Sequence, residues 1–275
     1  MSFDPGLDVR ISDSPMGFRF GPGVFGPAPE YRRLDSIRKS LLDPSCAGPD
    51  PVYAIAMDVG KRGHEAELRK RQLLFGIVTY AAGRLGSEPV RSQGHVHRVS
   101  ANSGWSPPEV YEIWRGRGIV YMQEFVADDP GRCFAVAGEP GDVIVVPPGW
   151  AHATLSADTA TPLTFGAWCD RDYGFVYDEV RARRGLAWYA QLDGDGGIEW
   201  QRNPQYHAGE LCIGPPRDYG DLGLDRNGTP IYLQFQQNSA ALQWVSNPAL
   251  RQENWVGFTP CLAKGRNERA GHERE

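Results

Sequence analysis

The sequence predicts a mainly all-β fold, an antiparallel sandwich or barrel with appendages at both ends. Three observations carry that prediction. Gly (33) and Pro (22) are abundant among the 275 residues without a collagen-like period, which favours many short strands over long helices. From Leu73 onward, short β-rich runs follow one another over 73–80, 90–97, 109–114, 118–126, 133–137, 142–146, 152–155 and 162–168. Turn signals separate them, among them Gly83-Arg84-Leu85-Gly86, Gly116-Arg117-Gly118, Asp129-Pro130-Gly131, Glu139-Pro140-Gly141 and Pro147-Pro148-Gly149.

The remaining segments divide around that run. Residues 1–69 read as an irregular arm and then a helix over Tyr31–Leu42, where Leu34, Ile37, Leu41 and Leu42 fall at helical spacing and Asp43-Pro44 ends the pattern. The barrel is assigned to 70–185 and a mixed C-terminal extension to 186–263. Within the extension, Ile231–Gln236 is a candidate strand and Ala240–Val245 a helical turn or two. Residues 264–275 are polar and expected to be disordered.

Charge and composition exclude several classes. Lys+Arg is 29 against 34 Asp+Glu, a net charge of -5, so no basic surface is available for nucleic acid or an anionic membrane. The longest apolar runs, such as Val143–Val146, are far too short to span a bilayer. The first residues carry no basic and apolar leader pattern, so a cytoplasmic protein is expected. The five Cys are scattered, odd in number and without a Cys-x-x-Cys pair, which argues for reduced thiols packed as small apolar side chains.

The histidines point to chemistry. In Gly94-His95-Val96-His97, residues i and i+2 of a strand share a face, so His95 and His97 project together. The following strand carries Glu109, Tyr111 and Ile113 on one face, with Glu112 on the opposite, solvent-directed one. A strand from Gly141, the Pro147-Pro148-Gly149 turn and a returning strand then deliver His152. Three imidazoles and a carboxylate on adjacent strands suit one divalent first-row metal, with Fe(II) first and Mn, Ni, Co or Zn as alternatives. Four protein ligands leave positions on such an ion open, which suits Lewis-acid chemistry better than a closed structural site. His64, His207 and His272 lie outside this context and read as surface or hydrogen-bonded histidines.

The second motif, Gly, five residues, Pro-x-Gly, two residues and His, resembles the cupin family, whose fold is a double-stranded β-helix barrel. Ser156 stands where the family has a trailing Asn. The details are similar to the cupin-type glucose-6-phosphate isomerases: Gly94-His95-Val96-His97, Pro108-Glu109-Val110-Tyr111-Glu112, Gly116-Arg117-Gly118, Gln123, Val146-Pro147-Pro148-Gly149-Trp150-Ala151-His152 and Asp172-Tyr173-Gly174. The resemblance runs over most of 30–260. It implies an aldose–ketose isomerase, interconverting glucose 6-phosphate and fructose 6-phosphate, with metal ligands His95, His97, Glu109 and His152. It further implies catalytic roles for Glu109 and Tyr111, substrate contacts at Thr79, Ser92, Gly94, Trp168, Arg171 and Tyr173, and a homodimer.

The chain also departs from that pattern. Arg171 replaces the His before Asp172, Trp168 stands for an aromatic that is usually Tyr, and a one-residue shift would put Val78 in place of Thr79. A loop over 98–106 is inserted between the ligand strands. Arg171 reads equally as a phosphate fork or as an exposed turn residue. The competing functions are a related isomerase or epimerase on a modified sugar, an Fe(II) oxygenase, and a sugar-binding module. The proton-shuttle and hydride-shift routes of isomerisation both stay open at this stage.

Overall fold

The computed structural model describes residues 3–194, 196–207, 209–225 and 227–262; the tail expected over 264–275 lies outside them. The N-terminal arm, read above as irregular, forms a hairpin of β1 (Val9–Asp13) and β2 (Met16–Phe20), then β3 (Val24–Phe25) and β4 (Glu30–Arg32). The helix expected over Tyr31–Leu42 is shorter. It comprises α1 (Leu34–Ile37) and a 3-10 turn over Arg38–Ser40, because Tyr31 and Arg32 are drawn into strand pairing with β5 (Tyr53–Met57). Two elements that the sequence reading lacked follow, β6 (Gly60–Lys61) and α2 (Glu65–Lys70), whose one buried side chain is Leu68.

The strand run then appears close to expectation. It consists of β7 (Leu73–Tyr80), β8 (Arg84–Leu85), β9 (Glu88–Pro89), β10 (Val96–His97), β11 (Glu109–Arg115), β12 (Gly118–Gln123), β13 (Cys133–Gly138), β14 (Val143–Val146), β15 (Ala151–Ser156), β16 (Thr164–Asp170) and β17 (Phe175–Val176). The expected strand over 90–97 is broken. Isolated bridges hold its first part, Arg91 to Leu155 and His95 to His152, with Gly94 at φ +84° between them, and only its end, β10, pairs as a strand, with β17. After α3 (Asp178–Ala182) come the hairpin β18 (Trp188–Leu192) and β19 (Ile198–Arg202), β20 (Leu211–Gly214), and α4 (Ile231–Gln237), α5 (Gln243–Ser246) and α6 (Gln252–Trp255). Ile231–Gln236 is therefore helix, not strand: Ile231, Tyr232 and Phe235 lie on one helical face and bury it.

Two sheets face each other. One has the order β14-β11-β16-β7-β5-β4 and the other β15-β12-β13-β20. They are the two walls of the cupin double-stranded β-helix, and hydrogen bonding does not stitch them into one closed ring among the described residues. Three apolar layers result. Tyr111, Ile113, Phe165, Met122, Phe134 and Val136 pack between the sheets. Outside the six-stranded sheet, Phe75, Trp114 and Trp168 pack on Tyr232, Phe235 and Trp244 of the C-terminal helices. Outside the four-stranded sheet, Tyr121 and Leu155 pack on Val180, Leu186 and Ala190. With helices or a hairpin over both outer faces, β7, β12 and β15 are buried at every position. No described helix is long and apolar enough to cross a membrane.

Candidate metal centre

Backbone pairing builds the cluster. His95 and His152 lie opposite each other and exchange both backbone hydrogen bonds, at 3.0 and 2.9 Å. His97 follows one pleat later on β10, and Glu109 opens β11 opposite Val146, which ends the strand leading into the Pro147-Pro148-Gly149 turn. Gly149 has φ +79°, a conformation a side-chain-bearing residue rarely adopts, and so permits the sharp reversal into β15. One ligand atom from each of His95, His97, Glu109 and His152 then lies within 4.8 Å of the others.

Hydrogen bonds orient the rings. His97 Nδ1 lies 2.8 Å from the Pro107 carbonyl and His152 Nδ1 lies 3.1 Å from the Trp150 carbonyl. Carbonyls only accept, so each Nδ1 donates and each Nε2 is left facing Glu109 Oε2, at 3.3 Å in both cases. His95 Nε2 is buried without any partner. A buried lone pair with nothing to accept, beside two oriented imidazoles and a carboxylate, fits a bound cation.

The electrostatics agree in sign. Burial alone would raise the Glu109 carboxyl, but the His152 and His97 imidazoles facing it at 3.3 Å outweigh burial and hold it far below the usual carboxylate range. Burial pushes His95 well down, and the neighbouring His152 and His97 add to this. Burial also lowers His152, whereas at His97 the Glu109 contact and charge, with the Pro107 carbonyl and the Asp170 charge, together outweigh burial and raise it. Tyr111 donates its hydroxyl to Glu109 Oε2 at 2.7 Å, and burial with the Glu109 charge keeps that phenol protonated far above its ordinary range.

His95 and Glu109 of the cluster, with Tyr111 and Ser92, line a cavity of about 60 Å³ that opens to solvent. Ser92 Oγ also accepts the Thr154 N–H at 3.1 Å. Gly94 is fixed by packing, since a Cβ there would meet Leu186 at 3.0 Å. The other expected contacts fall elsewhere. Thr79 turns away, its Oγ1 2.9 Å from Thr164 Oγ1, and Val78 lines the cavity instead. Trp168 is fully buried on the outer face, donating to the Ile231 carbonyl at 3.2 Å, while Ala167 faces in. Arg171 forks onto Asp58 at 2.9 and 2.7 Å. Tyr173 stands one ring back, 5.6 Å from Phe175.

Sequence reasoning missed the aromatic wall. The Phe175 ring is 4.5 Å from that of His95 and 5.8 Å from that of His97, and the Tyr177 ring is 5.9 Å from His95. The available signal was alternation: Tyr173, Phe175 and Tyr177 occupy every second position after Arg171. Gln123, a marker of the resemblance, is not in the cavity. Its Oε1 accepts the Ala187 N–H at 2.7 Å and so fastens the extension to the barrel. His64 bonds Tyr232 at 3.2 Å, His207 donates its backbone N–H to Asp128, and His272 lies outside the described residues.

Fold and site together define a two-sheet β-barrel protein with three histidines and a glutamate converging in its mouth. The family model described as glucose-6-phosphate isomerase (GPI) matches residues 41–208, and the chain belongs to that family. It is 28% identical over 206 residues to a glucose-6-phosphate isomerase of Pyrococcus abyssi (strain GE5 / Orsay), covering 70% of this chain and 98% of the relative. It is 28% identical over 183 residues to one of Thermococcus gammatolerans, covering 64% and 86%. A recombinant oxalate oxidase in complex with glycolate superimposes on 46% of this chain and 54% of its own, with 12% identity and a TM-score of 0.34.

Proposed function

We propose that this chain is a metal-dependent aldose–ketose isomerase that interconverts glucose 6-phosphate and fructose 6-phosphate. Its His95, His97, Glu109 and His152 would hold one divalent first-row ion, Fe(II) before Mn, Ni, Co or Zn. The observation that carries this reading is the convergence of the four donors within 4.8 Å, with His95 and Glu109 opening onto the cavity, in a chain of this family. The bound ion would supply Lewis-acid polarisation of the substrate carbonyl and its neighbouring hydroxyl.

The residues supply the rest. Tyr111, kept protonated, donates to Glu109 and has its oxygen lone pairs left to accept from a sugar hydroxyl. Glu109 Oε2 already faces Tyr111, His97 and His152, so a proton moved through an enediol would be received at Oε1. A direct hydride shift asks only that C1 and C2 be held eclipsed and dry, and Phe175 over the imidazoles excludes water from that side. Protein loaded with each of the five metals is expected to convert fructose 6-phosphate to glucose 6-phosphate with at least one. No turnover with any of them would refute the reading. Val78 in place of a hydroxyl and the diversion of Arg171 favour one second reading, a related isomerase on a modified sugar. Slow turnover of fructose 6-phosphate beside fast turnover of such a sugar would establish it.

A further inference from the structure

We propose that Arg32, on β4 of the N-terminal arm, is the residue that receives the 6-phosphate of the substrate; this rests on the isomerase reading and adds the specificity determinant to it. Arg32 is the only Lys or Arg among the described residues that line the cavity. It lies outside residues 41–208, the part matched by the family model.

Position supports the role. Arg32 pairs with Tyr53 across β4 and β5, and Arg32, Tyr53 and Tyr177 line the same cavity. The Tyr177 ring sits 5.9 Å from that of His95. The cavity is thus bordered both by His95 and Glu109 of the metal-type cluster and by the guanidinium-bearing Arg32 of β4. A hexose 6-phosphate has the same layout, with the reacting C1 and C2 at one end and the phosphate at the other.

Competing cations are engaged. Arg171 is forked onto Asp58. Arg181 bonds Gln93 at 2.9 Å and lies over the Tyr177 ring, 4.9 Å from its centroid. Among the described residues the one ion pair of Arg32 is with Glu30, at 3.1 Å, and that carboxylate is 70% exposed. An exposed ion pair contributes little, so a phosphate dianion can replace Glu30 on the guanidinium fork at small cost. Ile55, Met57, Val78 and Phe165 line much of the remaining cavity and offer a phosphate nothing.

The test separates affinity from turnover. Glucitol 6-phosphate has no carbonyl, so it can bind without reacting. Calorimetry on the metal-loaded protein should show it binding far more tightly than glucitol. Arg32→Ala should weaken glucitol 6-phosphate about 100-fold, and Arg32→Lys by a smaller factor, about 10-fold, because a point charge replaces a fork. Steady-state KM for fructose 6-phosphate should rise in parallel. Affinity of Arg32→Ala within threefold of the parent protein would overturn the inference, as would equal binding of glucitol and its phosphate by the parent. If fructose 6-phosphate is not turned over by the parent, yet the Arg32 effect on glucitol 6-phosphate is found, the isomerase reading fails and the phosphate assignment stands. The converse pattern leaves the isomerase standing and removes Arg32.

Discussion

Glu109 and Glu112 lie on the same strand, 9% and 1% exposed, and face opposite ways. Glu109 points between the sheets, where two imidazoles and the Tyr111 hydroxyl hold it ionised. Glu112 points outward, under the C-terminal helices. Its Oε1 accepts the Ile231 N–H at 2.8 Å and its Oε2 the Trp114 indole N–H at 2.9 Å. With no cation beside it, burial raises its carboxyl to about 7. Two buried carboxyls of one strand therefore differ: the inner one is held ionised among histidines and the outer one is raised to about 7 as a structural anchor. Partners decide the protonation state more than burial does.

The largest expected effect comes from breaking the inner member of the pair. Glu109→Gln keeps the shape and withdraws the charge on which three histidines converge. Metal content measured by elemental analysis should fall well below one ion per chain, and kcat/KM should drop by at least about 1000-fold. Retained metal with near-normal turnover would remove Glu109 from the site. The outer member should behave in the opposite way. Glu112→Ala strands the Ile231 N–H and the Trp114 indole N–H in the core, each costing about 1–3 kcal/mol when unpaired. Denaturant unfolding should report a loss of about 2–5 kcal/mol, while the folded fraction keeps its metal. Loss of metal at Glu112→Ala without loss of stability would show that the two faces are coupled through β11.

This contrast also explains what the sequence made legible. The metal cluster could be read because its rules are local. Residues i and i+2 share a strand face, and a Pro-Pro-Gly turn reverses the chain into His152. Periodicity correctly put Glu112 opposite Glu109, but the expectation of a solvated face failed. What covers that face is Ile231 and the helices near it, 119 residues away in sequence. Trp168 fails for the same reason, packed on Tyr232 with ring centroids 5.4 Å apart. Arg171 finds Asp58, 113 residues before it. Thr79 is a register error, and one residue of slip exchanges the faces of a strand. Ile231–Gln236 was ambiguous because a short apolar run satisfies both periods, and only the packing of Ile231, Tyr232 and Phe235 decides for helix.

The finest test of the comparison is its pH dependence. Burial brings the Glu112 carboxyl to about 7 in the folded state, above the ordinary glutamate value of 4.5. A carboxyl raised on folding binds its proton more tightly in the native state, so its contribution to stability is fully present below the unfolded pKa and is lost as pH rises through the folded one. Over that window the shift corresponds to roughly 3 kcal/mol. Glu112→Gln cannot ionise, and its amide N–H₂ opposes one of the two N–H donors, so it should be less stable than the parent protein near pH 4. The gap should narrow, and can reverse, between pH 5 and 8, as the parent protein meets the cost of a buried carboxylate. Taking the difference between parent and variant at each pH cancels the other titrating groups, including the histidines of the inner face. A difference independent of pH would mean that Glu112 is already ionised when folded. Its two hydrogen bonds would then outweigh burial, and both glutamates of β11 would be charged.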